Sequence, residues 1–180
     1  MRGANNSKPE VGLLMVCLGN ICRSPTAHGV MEKLIYDNGL SDLIQVDSAG
    51  TGDWHIGEKP DPRAIAAAAK RGYEISNQTA RRIEDGDFQR FSYIMAMDRN
   101  NLKELRARCP AGQRSKLALL LDYGESAHDA VPDPYYSGAE GFELVLDLVE
   151  EACATLLTTI IAEHSLNGTG SRYGYDVHCI

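Results

Sequence analysis

Ten residues beginning at Val16, "VCLGNICRSP", hold the side chains of this chain best suited to chemistry. Cys17 closes an apolar run, Arg23 stands six residues on, and Ser24 and Pro25 follow it. If the run is a buried strand and Ser24–Pro25 open a helix, residues 18–23 must turn sharply between them. Such a turn aims successive backbone N–H groups into one concavity above a helix N-terminus, which makes an anion site out of backbone. Gly19 has the torsional freedom for the turn, and Asn20 tolerates a left-handed conformation. Arg23 adds a planar fork matched to two oxygens of a phosphate. A thiol at the rim of that positive field is favoured as thiolate, and a thiolate facing a bound phosphoryl group is an in-line nucleophile.

Plainer readings compete with this one. A cysteine at a strand end is ordinarily a small buried hydrophobe, and C-x5-R alone recurs by chance. The specific signal is the whole sequence of strand, C-x5-R, Ser-Pro and helix. A nucleotide-binding P-loop is excluded, because no G-x4-G-K-[ST] is present. The C-x4-C spacing of Cys17 and Cys22 fits neither a thioredoxin motif nor a zinc site without further ligands.

The elements that must position these residues follow from hydrophobic patterning. "VGLLMVCL" is nearly all apolar, as a strand buried on both faces of a parallel sheet should be. Ser24 is the expected cap of a helix over Pro25–Asp37, which "NGL" stops. "LIQVDSAG" predicts a second strand, "PRAIAAAAKRG" a short helix ending at Gly72, and "FSYIMAMD" a third strand. "RNNLKELRARC" predicts a helix and "SKLALLLDYG" a fourth strand. "AEGFELVLDLVEEACATLLTTIIAEH" predicts a long final helix after the loop carrying "VPDPYY". Alternating strands and helices imply an α/β fold, a three-layer αβα sandwich on a four-stranded parallel sheet. Ligands of such folds bind beyond the carboxyl ends of the strands, where Cys17, Ser48 and Asp98 all fall. Residues 1–10 are expected to be disordered, 11–166 to form one domain and 167–180 a flexible tail.

Composition narrows the class. The chain has 180 residues, 43% of them hydrophobic, enough for one sizeable core. Eighteen Lys and Arg against 25 Asp and Glu give a net charge of −7, which argues against nucleic acid or an anionic membrane as the main partner. No apolar run approaches the roughly 18–20 residues of a membrane helix. The N-terminal apolar run is too short for a signal-peptide core. Cysteines 17, 22, 109, 153 and 179 are odd in number and irregular in spacing. That points to a reducing compartment, by default the cytoplasm, rather than a secreted disulfide framework.

"VCLGNICRSP" and "DPYY", with "VDSAGTGDWHIGEKPDPRA" and "YIMAMDRNNLKEL", resemble the low-molecular-weight protein tyrosine phosphatases over residues 11–163. The resemblance implies a hydrolase that cleaves phosphotyrosine and aryl phosphates through a phosphocysteine intermediate, with acid phosphatase activity and no cofactor or metal. It makes Cys17 the nucleophile, Arg23 the phosphate clamp and Asp133 the general acid, with Asp129 the nearest alternative acid outside the motif. Residues 18–22 and Ser24 (Leu18, Gly19, Asn20, Ile21, Cys22, Ser24) would form the phosphate cradle. Trp54 and Tyr135 would wall the pocket with flat faces, and phosphorylation of Tyr135 or Tyr136 is a possibility the family raises. Asn20 and Ser48 match a polar network that shapes the loop. Where some members have a histidine in that network this chain has Gln78, while Asp98, that histidine's usual partner, is retained. Cys22 beside Cys17 implies a reversible protective disulfide under oxidation. His28, on the first helix, reads as a surface residue. Expected partners are phosphotyrosine proteins or peptides and phosphate-like oxyanions. Two rivals remain: a thiol-linked arsenate reductase, whose cysteine relay residues 60–108 lack, and a phosphotyrosine-binding module without turnover, which has no need of Cys17 or Asp133.

Overall fold

The structure, a computed structural model, describes residues 9–168. The expected segment 1–10 and tail 167–180, with Cys179, fall almost wholly outside them. Strand β1 (Val11–Cys17) lies at the centre of the sheet, pairing in parallel with β2 (Ile44–Gly50) on one side and β3 (Tyr93–Ala96) on the other. Strand β4 (Leu117–Leu119) adds in parallel to β3, giving the order β2-β1-β3-β4.

The continuous apolar run of β1 reflects burial on both faces. Val11, Leu13 and Met15 enter a core with residues of α1 (Arg23–Asp37), α2 (Pro62–Lys70) and α5 (Ala139–His164). Leu14 and Val16 point the other way, against Phe88 of α3 (Asp87–Arg90), Phe91 just after it, and Leu102 and Leu105 of α4 (Arg99–Arg108). The result is the expected αβα sandwich. Leu146, Val149, Leu156 and Ile160 on α5 are fully or almost fully buried, worth about 1.5–3 kcal/mol each before conformational entropy. That packing holds α5 although Gly138 gives its first turn no side-chain cap.

Several boundaries differ from expectation, for physical reasons. Helix α1 begins at Arg23 with Cys22 at the N-cap position and no side-chain cap. Ser24 does not cap it, because its hydroxyl turns inward to Cys17 and Asn20. The third strand is shorter than 91–98, since Asp98 leaves the sheet to cap α4 by accepting from Asn101 N. The fourth strand lasts three residues before Leu120–Tyr123 tighten into a 3-10 turn. Helix α3 lies in a stretch left unassigned by patterning, and a 3-10 helix at Ala111–Lys116 takes the first two residues of the expected fourth strand, Ser115 and Lys116; both are too short to show periodicity.

Register places the chemistry. Cys17 pairs opposite Gly50, and the ladder continues past the strand ends, with Thr51 N bonded to Cys17 O at 2.9 Å and Met97 N to Val16 O at 2.9 Å. Val131 N then bonds Met97 O at 2.8 Å, bringing the loop before α5 to the same rim. Gly50 is required there, since a Cβ would sit 2.7 Å from the Leu18 carbonyl oxygen.

Candidate active site

The turn after β1 closes around the Cys17 sulfur. Asn20 takes the left-handed conformation, φ 56°, and its N–H points to Cys17 Sγ at 3.3 Å. Ser24 Oγ lies 3.0 Å from the same sulfur. Asn20 Nδ2 donates to Ser24 Oγ at 2.8 Å, which leaves the hydroxyl proton to the sulfur or to the Ala49 carbonyl at 3.4 Å, and the sulfur is the nearer.

Asn20 is the hub of the loop. Its Nδ2 also reaches Ser48 Oγ at 3.0 Å, and its Oδ1 accepts from Arg81 N at 3.0 Å. Arg81 is tied down in turn by Asp47 at 3.0 Å and Asp87 at 2.9 Å. Gln78 lies at the edge of the network, with Oε1 3.5 Å from Ser48 Oγ and Nε2 donating to Pro25 O at 3.0 Å. Asp98 does not join it. It faces the other way, and its Oδ2 accepts from Arg23 Nη1 at 2.6 Å. His28 is half-buried rather than fully on the surface: Nδ1 lies 3.4 Å from Ser48 Oγ, and desolvation lowers its pKa.

Arg23 is almost fully buried, with Nη1 shared between Asp98 and the Val131 carbonyl at 3.2 Å. Burial opposes its charge, but the charge of Cys17, the hydrogen bond to Asp98 and the charge of Asp133 outweigh that and raise its pKa. Nη2 points to Asp133 Oδ2 at 3.4 Å. Asp133 Oδ1 accepts from Tyr135 N at 3.1 Å, so the carboxylate is aimed by the turn that follows it. Asp129 is elsewhere, exposed and paired with Arg99 at 3.2 Å.

These groups surround a cavity of about 240 Å³. Cys17, Leu18, Gly19, Ile21, Cys22 and Arg23 line it, with Asp133, Tyr135, Tyr136 and Trp54 also on its walls. Asn20, Ser24 and Ser48 lie behind the loop, shaping it rather than lining the space. Burial, then the charges of Asp61, Cys17 and Asp133, push the Cys22 thiol up to about 12. It therefore stays protonated beside Cys17.

Sequence reasoning missed four contributors. His55 lines the cavity beside Trp54, packs its ring edge against Gly19 and pairs through Nδ1 with Glu58 at 2.7 Å. Arg63 donates to Tyr135 O at 3.0 Å and stacks near the Tyr135 and Phe142 rings at 5.6 and 4.8 Å. Both stand in the quoted segment "GDWHIGEKPDPR", so their nearness to Trp54 was the available clue. Arg81 and His28 act through contacts remote in sequence, which no local pattern shows.

Comparison with known proteins agrees with this geometry. A family model described as low molecular weight phosphotyrosine protein phosphatase matches residues 12–166. A Drosophila melanogaster protein named low molecular weight phosphotyrosine protein phosphatase 1 is 43% identical over 147 residues, 81% of this chain and 94% of its own length. The crystal structure of a protein tyrosine phosphatase from Entamoeba histolytica with Hepes in the active site superposes with a TM-score of 0.83 at 41% identity, covering 87% of this chain and 99% of that one. A Drosophila arginine phosphatase superposes with a TM-score of 0.76 at 34% identity, covering 82% and 96%. A nucleophile-bearing loop of this shape, carried on this sheet and matched along nearly the whole described length, places the chain in the low molecular weight phosphotyrosine protein phosphatase family.

Proposed function

We propose that the protein hydrolyses phosphotyrosine and related aryl phosphate monoesters through a phosphocysteine intermediate. The observation that carries the reading is the Cys17 sulfur. It lines the cavity within reach of the Asn20 N–H and the Ser24 hydroxyl, with Arg23 and Asp133 on the same walls. Loop amides and the Arg23 guanidinium hold the phosphoryl oxygens, and catalysis is mostly positioning and charge stabilisation. Cys17 attacks phosphorus as the P–O bond to the tyrosine breaks, and Asp133 gives its proton to the leaving phenolate. Asp133 then takes a proton from water, the hydroxide attacks phosphorus, and the S–P bond breaks to release phosphate and restore the thiolate. Leu18, Gly19, Asn20, Ile21, Cys22 and Ser24 form or brace the cradle, and Trp54 and Tyr135 hold the aryl ring. Ser48 and Gln78 support Asn20, and Asp98 holds Arg23.

The flat walls support an aryl substrate over a short-stemmed one. Purified protein should therefore cleave a phosphotyrosine peptide far faster than the matching phosphoserine or phosphoarginine peptide, with Cys17→Ser inactive. Equal rates on all three would overturn the substrate assignment.

Two finer readings accompany the proposal. Cys22 lines the same cavity as Cys17 and serves as the resolving thiol after oxidation. Peroxide converts the Cys17 thiolate to sulfenic acid with release of hydroxide. The Cys22 sulfur then displaces water to form the disulfide, and two reductant thiols reverse it. Oxidation removes the negative charge of Cys17, one of the influences that keep Cys22 protonated. A working thiolate requires a reducing compartment, and we place the protein in the cytoplasm with phosphotyrosine proteins as partners. Among the described residues no helix is long and apolar enough to cross a membrane.

A further inference from the structure

His28 on α1 contacts the polar network from behind, and no part of the reaction above uses it. The donors and acceptors of the network can be assigned one by one. Pro25 O accepts only, so it takes a proton of Gln78 Nε2 at 3.0 Å, and this fixes which way the Gln78 amide faces. Gln78 Oε1 is then an acceptor turned to Ser48 Oγ at 3.5 Å, and the single Ser48 proton goes to it. Asn20 Nδ2 donates to Ser48 Oγ at 3.0 Å and occupies one lone pair. The remaining lone pair faces His28 Nδ1 at 3.4 Å, and a proton on that nitrogen would complete the set.

The surroundings of His28 fit a neutral ring with its proton on Nδ1. Burial favours the uncharged form, Glu32 on its own helix and Asp47 on β2 oppose it, and Arg81 from the loop before α3 favours it; burial prevails. The imidazole supplies a donor without a buried charge.

We propose that His28 is a positioning residue for the phosphate loop: its Nδ1–H completes the hydrogen bonds of Ser48, and Ser48 in turn fixes the Asn20 carboxamide that aims Ser24 and the Asn20 amide at Cys17. The contribution to turnover rests on the phosphatase reading; the contribution to loop shape does not. It also gives the glutamine at position 78 a physical account. A glutamine there spends its acceptor on Ser48, and the donor comes from the helix instead.

The test compares His28→Leu with His28→Asn, because the asparagine amide nitrogen can stand where Nδ1 stands and leucine has the same shape without a donor. Turnover of p-nitrophenyl phosphate and binding of tungstate are measured for each, with thermal melting as a check on folding. His28→Leu should lose about three- to tenfold in kcat and in tungstate affinity, the weight of one hydrogen bond, and His28→Asn should recover most of both. Ser48→Ala supplies a second route. In that background His28→Leu should have no further effect, since the relay is already cut. Unchanged kcat and tungstate affinity in His28→Leu would overturn the proposal. So would equal impairment in His28→Asn, or full additivity with Ser48→Ala. A wild-type protein without turnover would defeat the phosphatase reading, while the tungstate measurements would still decide the role of His28.

Discussion

Arg23 Nη2 and Asp133 Oδ2 face each other at 3.4 Å across the cavity, one side chain almost fully buried and the other half exposed. The same guanidinium edge is the one a bound phosphoryl group would engage, so substrate and Asp133 compete for it. Asp133→Asn removes the proton donor and the competing charge together. Its kcat on phosphotyrosine should fall by roughly 10²–10⁴, the range of general acid catalysis, while tungstate affinity should hold or rise. The loss should shrink for substrates whose leaving group needs no proton. Near-normal turnover would remove Asp133 from its role.

Asp98 performs two tasks with two oxygens: Oδ2 holds Arg23 at 2.6 Å, and Oδ1 caps α4 by accepting from Asn101 N at 2.7 Å. Asparagine preserves the cap and removes the charge; alanine removes both. Both variants should lose kcat through a poorly held Arg23. Only Asp98→Ala should also lose about 1 kcal/mol of stability, the usual worth of such a cap. Urea melts of the two variants separate the tasks.

Cys22 gives a prediction with a definite sign. Its thiol is pushed up to about 12, chiefly by burial, from an ordinary value of 9.0. The folded state thus holds this proton more tightly than the unfolded chain. Its contribution to stability is full below the unfolded value and is lost as pH climbs from about 9 towards 12. Denaturant melts at about pH 8 and pH 10 should show a smaller alkaline loss in Cys22→Ala than in wild type. A brief iodoacetamide pulse at neutral pH should label Cys17 and spare Cys22, read by peptide mapping. After peroxide and then dithiothreitol, wild type should regain activity and Cys22→Ser should regain far less. A mapped bridge from Cys17 to Cys109 or Cys153 would contradict the pairing.

Arg63 fixes the Tyr135 wall from outside the cavity, through its carbonyl and the face of its ring. Arg63→Ala should raise KM for phosphotyrosine peptides more than it lowers kcat. It should barely alter inorganic phosphate inhibition, since phosphate does not use the wall. Steady-state kinetics with phosphate as inhibitor checks this.

Gly50 and the Leu18 carbonyl set a backbone steric limit at the site. Gly50→Ala should leave a folded protein with a displaced loop, because the added carbon meets a backbone carbonyl, which cannot turn aside. Far-ultraviolet circular dichroism should be unchanged while kcat and tungstate affinity both collapse.

Much of this was legible in the chain. The greasy run ending at Cys17 announces a strand buried on both faces, and the structure brings Arg23 and Asp133 to the cavity that Cys17 lines. Helix α5 was legible for its length. What stayed hidden depended on partners distant in sequence. Ser24 follows the local rule for a cap, yet a sulfur seven residues back and the Asn20 amide claim its hydroxyl. Asp98 is retained where the family's histidine would have its partner, but here it holds Arg23, 75 positions away, instead. His28 looked like one polar residue on a helix, and only the crossing of α1 over β2 brings it to Ser48.

The central place of β1 has a consequence for how the enzyme would respond to ligands. A strand bonded along both edges is slow to open, so amide hydrogens at its carboxyl end should be among the last in the molecule to exchange with solvent. Asp133 instead sits on a loop that meets the rim of the sheet through the Val131–Met97 bond and is otherwise held by the side chains of Arg23 and Arg63. A small oxyanion that fills only the cradle should leave the exchange pattern of β1 unaltered, while an aryl ligand reaching Tyr135 should slow exchange across 131–138. Cys17 is thus carried by a strand bonded along both edges, and Asp133 by a loop held mostly through side chains. Selectivity among aryl ligands should therefore be set by the ordering of the acid's loop rather than by the loop that holds the phosphate.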